Sequence, residues 1–249
     1  MLPVLNIGPL ALQTPGLVML IGLWLGLLLA EKFSAKHGVP PNMLYNLAFV
    51  TLVAGVIGAR LTYLFRYPEA FANSPLSLIS LNPGLLDPAG GLAVGLISGA
   101  IYAQHKKMAL WLTLDALTPL LAVMAIALGL SHLASGAAFG ATTQVPWGID
   151  LWGANRHPTQ IYEVMAAVAI LLILWPGKWG EQEPAGRYFL LFVMLSALAQ
   201  LITEAFRGDS LLLTGGWRVM QIVAWLLLAA SLWGLHRLQT KPEKPTDIA

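Results

Sequence analysis

The sequence predicts an all-α integral membrane protein with seven transmembrane helices, its N-terminus outside and its C-terminus in the cytoplasm. Hydrophobic residues make up 57% of the 249 residues and charged residues only 10%, and the mean hydropathy is +0.70. A soluble domain typically carries about 25% charged residues. The polar stretches are too short for a separate aqueous domain. We therefore expect one transmembrane domain over residues 1–238 and a disordered cytoplasmic tail over 239–249.

Seven apolar segments, each long enough to approach the roughly 20 residues that cross a bilayer, account for the predicted helices. A proline suits the first turn of a helix, so Pro158 marks the start of the fifth segment. In the third segment Gly91, Gly95 and Gly99 recur at steps of four, which lets another helix pack at backbone distance. Residues 1–15 contain three prolines and are expected to lie along the outer membrane surface. The predicted spans are residues 16–31, 43–64, 89–104, 109–134, 159–176, 186–206 and 217–236.

Basic residues are distributed unevenly between the two sides of the predicted membrane. Nine Lys or Arg residues follow the odd-numbered spans and four follow the even-numbered ones. Because cytoplasmic loops carry the excess of Lys and Arg, this distribution indicates an outside N-terminus and a cytoplasmic C-terminus. Residues 1–15 have no basic start and no clear cleavage site, so we expect no signal peptide.

The composition also argues against several kinds of function. A net charge of +2 is too small to favour nucleic-acid binding. Cysteine is absent, so any thiol chemistry requires a thiol that arrives with the substrate. The five histidines are scattered, without a spacing typical of zinc ligands. We therefore expect no bound metal and no cofactor.

The octapeptide at residues 156–163 is the most informative stretch of the chain. It places six polar or charged side chains directly before an apolar helix. Such groups at a membrane boundary are unfavourable unless they are paired or used. Within it, His157 is a candidate general base or, alternatively, a helix cap. His132 lies among small residues at the outer end of the fourth span, where it either faces a ligand or is satisfied within the helix bundle.

Glutamate and arginine residues in the predicted outer half form a second candidate site. Glu204 and Arg207 are three residues apart on one helix, so they can pair with each other or together bind a lipid headgroup. Arg60 lies deep in the second span and needs an anionic partner. Glu204, Glu163 or a lipid phosphate are the candidates, and a guanidinium suits phosphate because it donates two hydrogen bonds at once.

The octapeptide resembles the His-Pro-[Ser/Thr]-Gln-Leu-Tyr-Glu motif of the prolipoprotein diacylglyceryl transferase family. The resemblance continues at residues 7–12, 58–63, 90–92, 115–120, 145–147, 204–207 and 220–222. It implies a multi-pass enzyme of the bacterial plasma membrane that moves diacylglycerol from phosphatidylglycerol to the cysteine thiol of a lipoprotein precursor and releases glycerol phosphate. The implied partners are phosphatidylglycerol or another anionic phospholipid, and the signal peptide of the precursor.

The residues and the resemblance together predict two sets of site residues. The expected catalytic residues are His132, His157, Tyr162 and Glu163. The expected lipid-binding residues are Arg60, Arg156, Glu204, Arg207, Gly90 and Gly91.

Several positions depart from the family pattern. The family histidine before Gly90 is Ala89, the signature arginine is Gly129, its two asparagines are His132 and Ser135, its glutamate is Ala137, and the arginine four residues before Glu204 is Gln200. Two hypotheses therefore stand. In the first, the chain is a divergent transferase in which His132, Arg60 and Arg207 take over the lost roles. In the second, it is a non-catalytic relative that binds phospholipid or serves as a subunit of a membrane complex.

Overall fold

A computed structural model describes residues 3–7, 10–72, 83–175 and 183–240. Every predicted span coincides with a helix to within about three residues at each end, so the helical prediction is confirmed. Within the described residues the helices are α1 Thr14–Ser34, α2 Pro41–Arg66, α3 Glu69–Ala72, α4 Pro88–His105, α5 Leu110–Ser135, α6 Thr159–Ile173, α7 Arg187–Phe206 and α8 Val219–Gln239. Residues 241–249 of the predicted tail lie outside the described residues.

The helices identify the chain as a multi-pass membrane protein. Five of them are long and apolar enough to cross a bilayer, namely Thr14–His37, Pro41–Arg66, Leu110–Ser135, Arg187–Phe206 and Val219–Gln239. Their large apolar side chains face outward: Trp24, Phe65 and Trp233 are 62%, 83% and 63% exposed. A water-soluble fold buries such surface, whereas a lipid-facing helix presents it. The remaining two long helices, α4 and α6, have 18 and 15 residues.

In the described part of the chain, two short antiparallel strand pairs add β-structure that the all-α prediction did not include. In the first, β1 Val4–Ile7 pairs with β2 Leu10–Gln13, so the proline-containing N-terminal segment forms a hairpin. In the second, β3 Ile149–Leu151 pairs with β4 Ala154–Arg156 directly before α6. Its turn residues Trp152 and Gly153 have φ values of 54° and 74°, the backbone of a two-residue turn that matches strand twist.

The chain divides into two compact units, of which the first comprises residues 1–37 and 114–249. Helix α7 packs against α6 and α8 in this unit. Asp115 in α5 is 2% exposed and accepts hydrogen bonds from the backbone N–H groups of Gly186 at 2.5 Å and Phe189 at 2.9 Å. The first N–H groups of a helix lack partners within the helix, so a buried carboxylate from α5 caps the start of α7.

The second unit, residues 38–113, is built on the close approach of α2 and α4. A Cβ atom on Gly95 would lie 2.9 Å from the carbonyl oxygen of Thr51, and one on Gly91 would lie 2.9 Å from that of Gly55. The glycine stripe predicted from the sequence therefore packs two helices at backbone distance. Asp87 caps α4 by accepting from the N–H groups of Ala89 and Gly90.

Candidate functional site

A cavity of about 240 Å³ lies within the first unit among α5, α6, α7 and the start of α8. Most of its wall is apolar or small. Its polar lining residues are His132, Glu163, Ser196, Gln200, Thr203 and Arg207. Three of the predicted site residues, His132, Glu163 and Arg207, thus line one cavity.

His132 and Glu163 form the central contact of this cavity. The Nδ1 atom of His132 lies 2.8 Å from Oε2 of Glu163, and the two side chains are 25% and 15% exposed. The other carboxylate oxygen of Glu163, Oε1, lies 3.5 Å from Nη1 of Arg207. A carboxylate that engages Nδ1 fixes the ring orientation and leaves Nε2 as the nitrogen that can exchange a proton. The arrangement is a histidine–carboxylate pair anchored by an arginine.

Glycine at position 129 makes the contact between His132 and Glu163 possible. A Cβ atom on Gly129 would lie 2.8 Å from Cγ2 of Val164 and 3.2 Å from its backbone nitrogen. Helices α5 and α6 therefore approach each other closely one turn before His132 and one residue after Glu163. The residue that departs from the family's arginine thus allows the helix approach that brings the pair together.

Arg207 follows the last residue of α7 and is surrounded by three carboxylates. Its guanidinium donates to Asp209 at 3.0 and 3.3 Å, and it lies 3.5 Å from Glu163 and 3.9 Å from Glu204. Burial lowers the pKa of Arg207, but the hydrogen bond and charge of Asp209 and the charges of Glu163 and Glu204 together raise it above its ordinary value. The guanidinium therefore stays charged, with its charge already compensated.

Glu204 is among the most deeply buried polar residues of the described chain, at 1% exposure. Its Oε2 accepts a hydrogen bond from Nε2 of Gln200 at 3.0 Å, and the predicted pairing with Arg207 is present as a longer contact of 3.9 Å. Gln200 occupies the position of a family arginine, so a neutral donor partners the carboxylate where a cation stands in the family pattern. The Glu204 backbone carbonyl also accepts from Arg218, whose guanidinium donates to Ser210 at 3.1 Å.

His157 and Tyr162 form a second cluster. The indole Nε1 of Trp147 donates to the hydroxyl oxygen of Tyr162 at 2.8 Å, and Nδ1 of His157 lies 3.4 Å from the same oxygen. The His157 ring also packs 5.1 Å from the ring of Phe206, centroid to centroid. His157 therefore sits against the end of α7 through Phe206, and its role as a base remains a prediction.

Two other residues of the octapeptide, Thr159 and Gln160, connect the start of α6 by hydrogen bonds to the loop that follows α5. Thr159 and Gln160 are fully buried, and they donate to the carbonyl oxygens of Ala138 at 2.5 Å and Ala137 at 2.9 Å. That loop also bonds the end of α7, because the N–H of Ala141 donates to Phe206 at 2.7 Å. These bonds hold the ends of α5, α6 and α7 together, which places their terminal side chains in one cluster.

Arg156 has a structural position in the same loop. Its Nε donates to the carbonyl of Leu151 at 3.0 Å, its Nη1 donates to that of Gly140 at 3.2 Å, and its guanidinium stacks 4.9 Å from the centre of the Phe139 ring. These contacts stabilise the loop. The predicted binding of lipid by Arg156 remains a prediction.

Three predicted lipid-binding residues lie in the second unit. The Nη1 of Arg60 donates to the carbonyl of Leu85 at 3.4 Å. A Cβ atom on Gly90 would lie 2.1 Å from Oγ1 of Thr62, and one on Gly91 would lie 2.8 Å from Cβ of Ala59. Both glycines therefore serve the packing of α4 on α2, and lipid contact by Arg60, Gly90 and Gly91 remains a prediction.

Apolar helices around a partly buried histidine–carboxylate–arginine cluster define a multi-pass membrane protein with a polar site among its helices. The profile of the prolipoprotein diacylglyceryl transferase family matches residues 3–237, and the chain belongs to this family. Similar relatives include three proteins named phosphatidylglycerol–prolipoprotein diacylglyceryl transferase. The protein from Thermosynechococcus vestitus is 26% identical, with 96% of this chain and 93% of the relative covered. The protein from Clostridioides difficile is 28% identical, with 84% of this chain and 84% of the relative covered. The protein from Staphylococcus aureus is also 28% identical, with 91% of this chain and 85% of the relative covered.

Proposed function

We propose that the protein transfers the diacylglyceryl group of phosphatidylglycerol to the cysteine thiol of a lipoprotein precursor at the bacterial plasma membrane. Family membership and the names of the relatives supply the reaction. The observation that carries the proposal for this chain is the His132–Glu163 contact of 2.8 Å in a cavity among apolar helices. This pair supplies the proton acceptor that the reaction needs, although Ala89 stands where the family has histidine.

In this reaction the thiol loses its proton to Nε2 of His132 and the sulfur attacks the glycerol carbon that carries the phosphate. The carbon–sulfur bond forms as the carbon–oxygen bond breaks, and glycerol phosphate leaves with the bonding electrons. Glu163 holds the imidazole through Nδ1 and stabilises the imidazolium that forms. Arg207 holds the other oxygen of that carboxylate, and as a cation that lines the cavity it can stabilise the charge that develops on the phosphate.

We also propose that all seven long helices cross the membrane, with the N-terminus outside. The distribution of nine against four basic residues supports this orientation. Helices α4 and α6, at 1.5 Å per residue, are about 27 and 22 Å long and approach the thickness of a bilayer core. This topology places the end of α5, the start of α6 and the end of α7 on the outer side, where the polar cluster lies.

A specific observation favours the second hypothesis, a non-catalytic relative that binds phospholipid or serves in a membrane complex. The guanidinium of Arg207 already contacts Asp209, Glu163 and Glu204. Preorganised cations that stabilise a leaving phosphate are worth factors of about 10² to 10³ each. Because three carboxylates already compensate the positive charge of Arg207, this site is better suited to binding a lipid than to stabilising a departing phosphate.

One experiment separates the two hypotheses. The gene is expressed in a bacterium depleted of its own transferase, and the purified protein is incubated with phosphatidylglycerol and a cysteine-bearing precursor peptide. Growth together with a thioether-linked diacylglyceryl peptide, detected by mass spectrometry and absent for His132→Ala, supports the transferase.

If the wild-type protein makes no thioether but retains phosphatidylglycerol in native mass spectrometry, the hypothesis of a non-catalytic relative is correct. In that case, if Arg60→Ala retains less phosphatidylglycerol than the wild type, Arg60 is a lipid ligand. If the variant and the wild type retain equal amounts, Arg60 is not part of the lipid site.

A further inference from the structure

A second cavity, of about 320 Å³, lies between α7 and α8 in the first unit. Its wall is apolar except for Ser196 and Gln200. The apolar lining consists of Phe192, Val193, Ala197, Met220, Val223, Ala224 and Leu227. An apolar cavity of this kind suits a hydrocarbon chain.

The two cavities adjoin each other. Ser196, Gln200 and Met220 line both the polar cavity around His132 and the apolar cavity between α7 and α8. These three side chains therefore separate the cavity that contains the histidine–carboxylate pair from the cavity lined by Val193 and Leu227. From the cavity around His132 to the cavity between α7 and α8, the lining changes from polar to apolar. A glycerolipid changes in the same order, from its headgroup through the ester groups to the acyl chains.

Ser196 at the junction has an unused hydrogen-bonding group. Its Oγ atom is buried and has no hydrogen-bond partner in the part of the chain that the structure describes. Serine and threonine within a helix often donate to the carbonyl four residues back, as Thr203 in the same helix does to Ala199 at 3.0 Å. Buried hydroxyls normally have a partner. The hydroxyl of Ser196 is therefore available to an acceptor on a molecule bound at this position.

The spacing along α7 agrees with such a ligand. Ser196, Gln200 and Glu204 recur at steps of four, so they lie on one face of the helix about 6 Å apart along its axis. Gln200 Nε2 donates one of its two N–H groups to Glu204 at 3.0 Å. Ser196 adds a hydroxyl donor one turn further along α7, where the polar and the apolar cavity meet.

We propose that the cavity between α7 and α8 binds one acyl chain of the lipid and that the Ser196 hydroxyl donates a hydrogen bond to the ester carbonyl of that chain. An ester carbonyl is an acceptor that lies between headgroup and chain in every diacylglycerol lipid. The inference rests on the proposed function for its glycerolipid ligand, and it assigns that ligand a specific place and orientation in the site.

The test measures lipid binding rather than transfer. Purified protein in nanodiscs is titrated with two phosphatidylglycerols of equal chain length, one with ester-linked and one with ether-linked chains. The ether lipid lacks the carbonyl acceptor. Wild-type protein is expected to bind the ester lipid about fivefold more tightly, the factor typical of one hydrogen bond. Ser196→Ala is expected to bind both equally, and Ser196→Thr to restore the preference.

Two further variants sharpen the test. Ser231→Ala removes a hydroxyl from α8 that bonds Leu228 and lines neither cavity, so it should keep the wild-type preference. Val193→Trp fills the apolar cavity and should weaken the binding of long-chain more than of short-chain phosphatidylglycerol.

Each outcome decides the inference. Equal binding of ester and ether lipids by wild-type protein overturns the role of Ser196, whether or not the variants fold. An unchanged preference in Ser196→Ala does so too, and an unchanged chain-length dependence in Val193→Trp removes the acyl chain from this cavity. Ester preference without any transfer activity keeps the inference while the transferase proposal fails.

Discussion

Removing either member of the His132–Glu163 pair tests whether the two side chains act as one catalytic unit. His132→Ala takes away the proton acceptor, and Glu163→Gln keeps the shape of its partner but removes the charge. In the structure Nδ1 of His132 lies 2.8 Å from Glu163 Oε2, and Glu163 Oε1 lies 3.5 Å from Arg207. The glutamine side chain can still fill this space, so the substitution isolates the loss of charge.

The expected magnitudes follow from these contacts. General acid–base catalysis contributes about 10² to 10⁴ in rate, so His132→Ala should lower kcat by that range. A hydrogen bond to a charged group is worth about 1.5–3 kcal/mol, and about 1.4 kcal/mol corresponds to a factor of ten. Glu163→Gln should therefore lower kcat by about ten- to a hundredfold. Because Glu163 acts through the imidazole, the double variant should be no slower than His132→Ala alone.

The assay is the initial rate of thioether formation between phosphatidylglycerol and a precursor peptide, measured by mass spectrometry for the wild type, both single variants and the double variant. His236→Ala, at an exposed histidine in the last turn of α8, is the matched control and should keep the wild-type rate. Rate losses that multiply in the double variant would refute the reasoning. So would a Glu163→Gln variant as fast as the wild type.

Three other outcomes are expected. Gly129→Arg introduces the family residue but places its side chain against Val164, so it should separate α5 from α6. The variant should therefore lose transfer activity, and a variant that is faster than the wild type would contradict this packing. Asp115→Ala leaves two N–H groups at the start of α7 without their buried acceptor, so stability should fall by about 3 kcal/mol, seen as a lower Tm in detergent. A cysteine introduced by Thr240→Cys should react with an impermeant thiol reagent only after cells are opened, and labelling of intact cells would reverse the orientation.

The sequence by itself determined the helices and the family. Long apolar runs leave few alternatives to a helix in a membrane, because the backbone must satisfy its own hydrogen bonds there. The octapeptide at residues 156–163 then indicated the family, and local spacing indicated which side chains share a helix face. The glycine stripe of α4 and the pairing of Glu204 with Arg207 were predictable in this way, since both depend on separations of three or four residues.

Contacts between distant segments required the tertiary structure. His132 and Glu163 are 31 residues apart, and no local pattern pairs them. The structure also gave Arg156 a place in a loop, made Asp209 the nearest carboxylate to Arg207, and left the Ser196 hydroxyl without a hydrogen-bond partner among the described residues. The physical reason is that residue spacing fixes direction around a single helix. The distance between side chains on different helices depends on how closely the helices pack, which at His132 is set by a glycine one turn away.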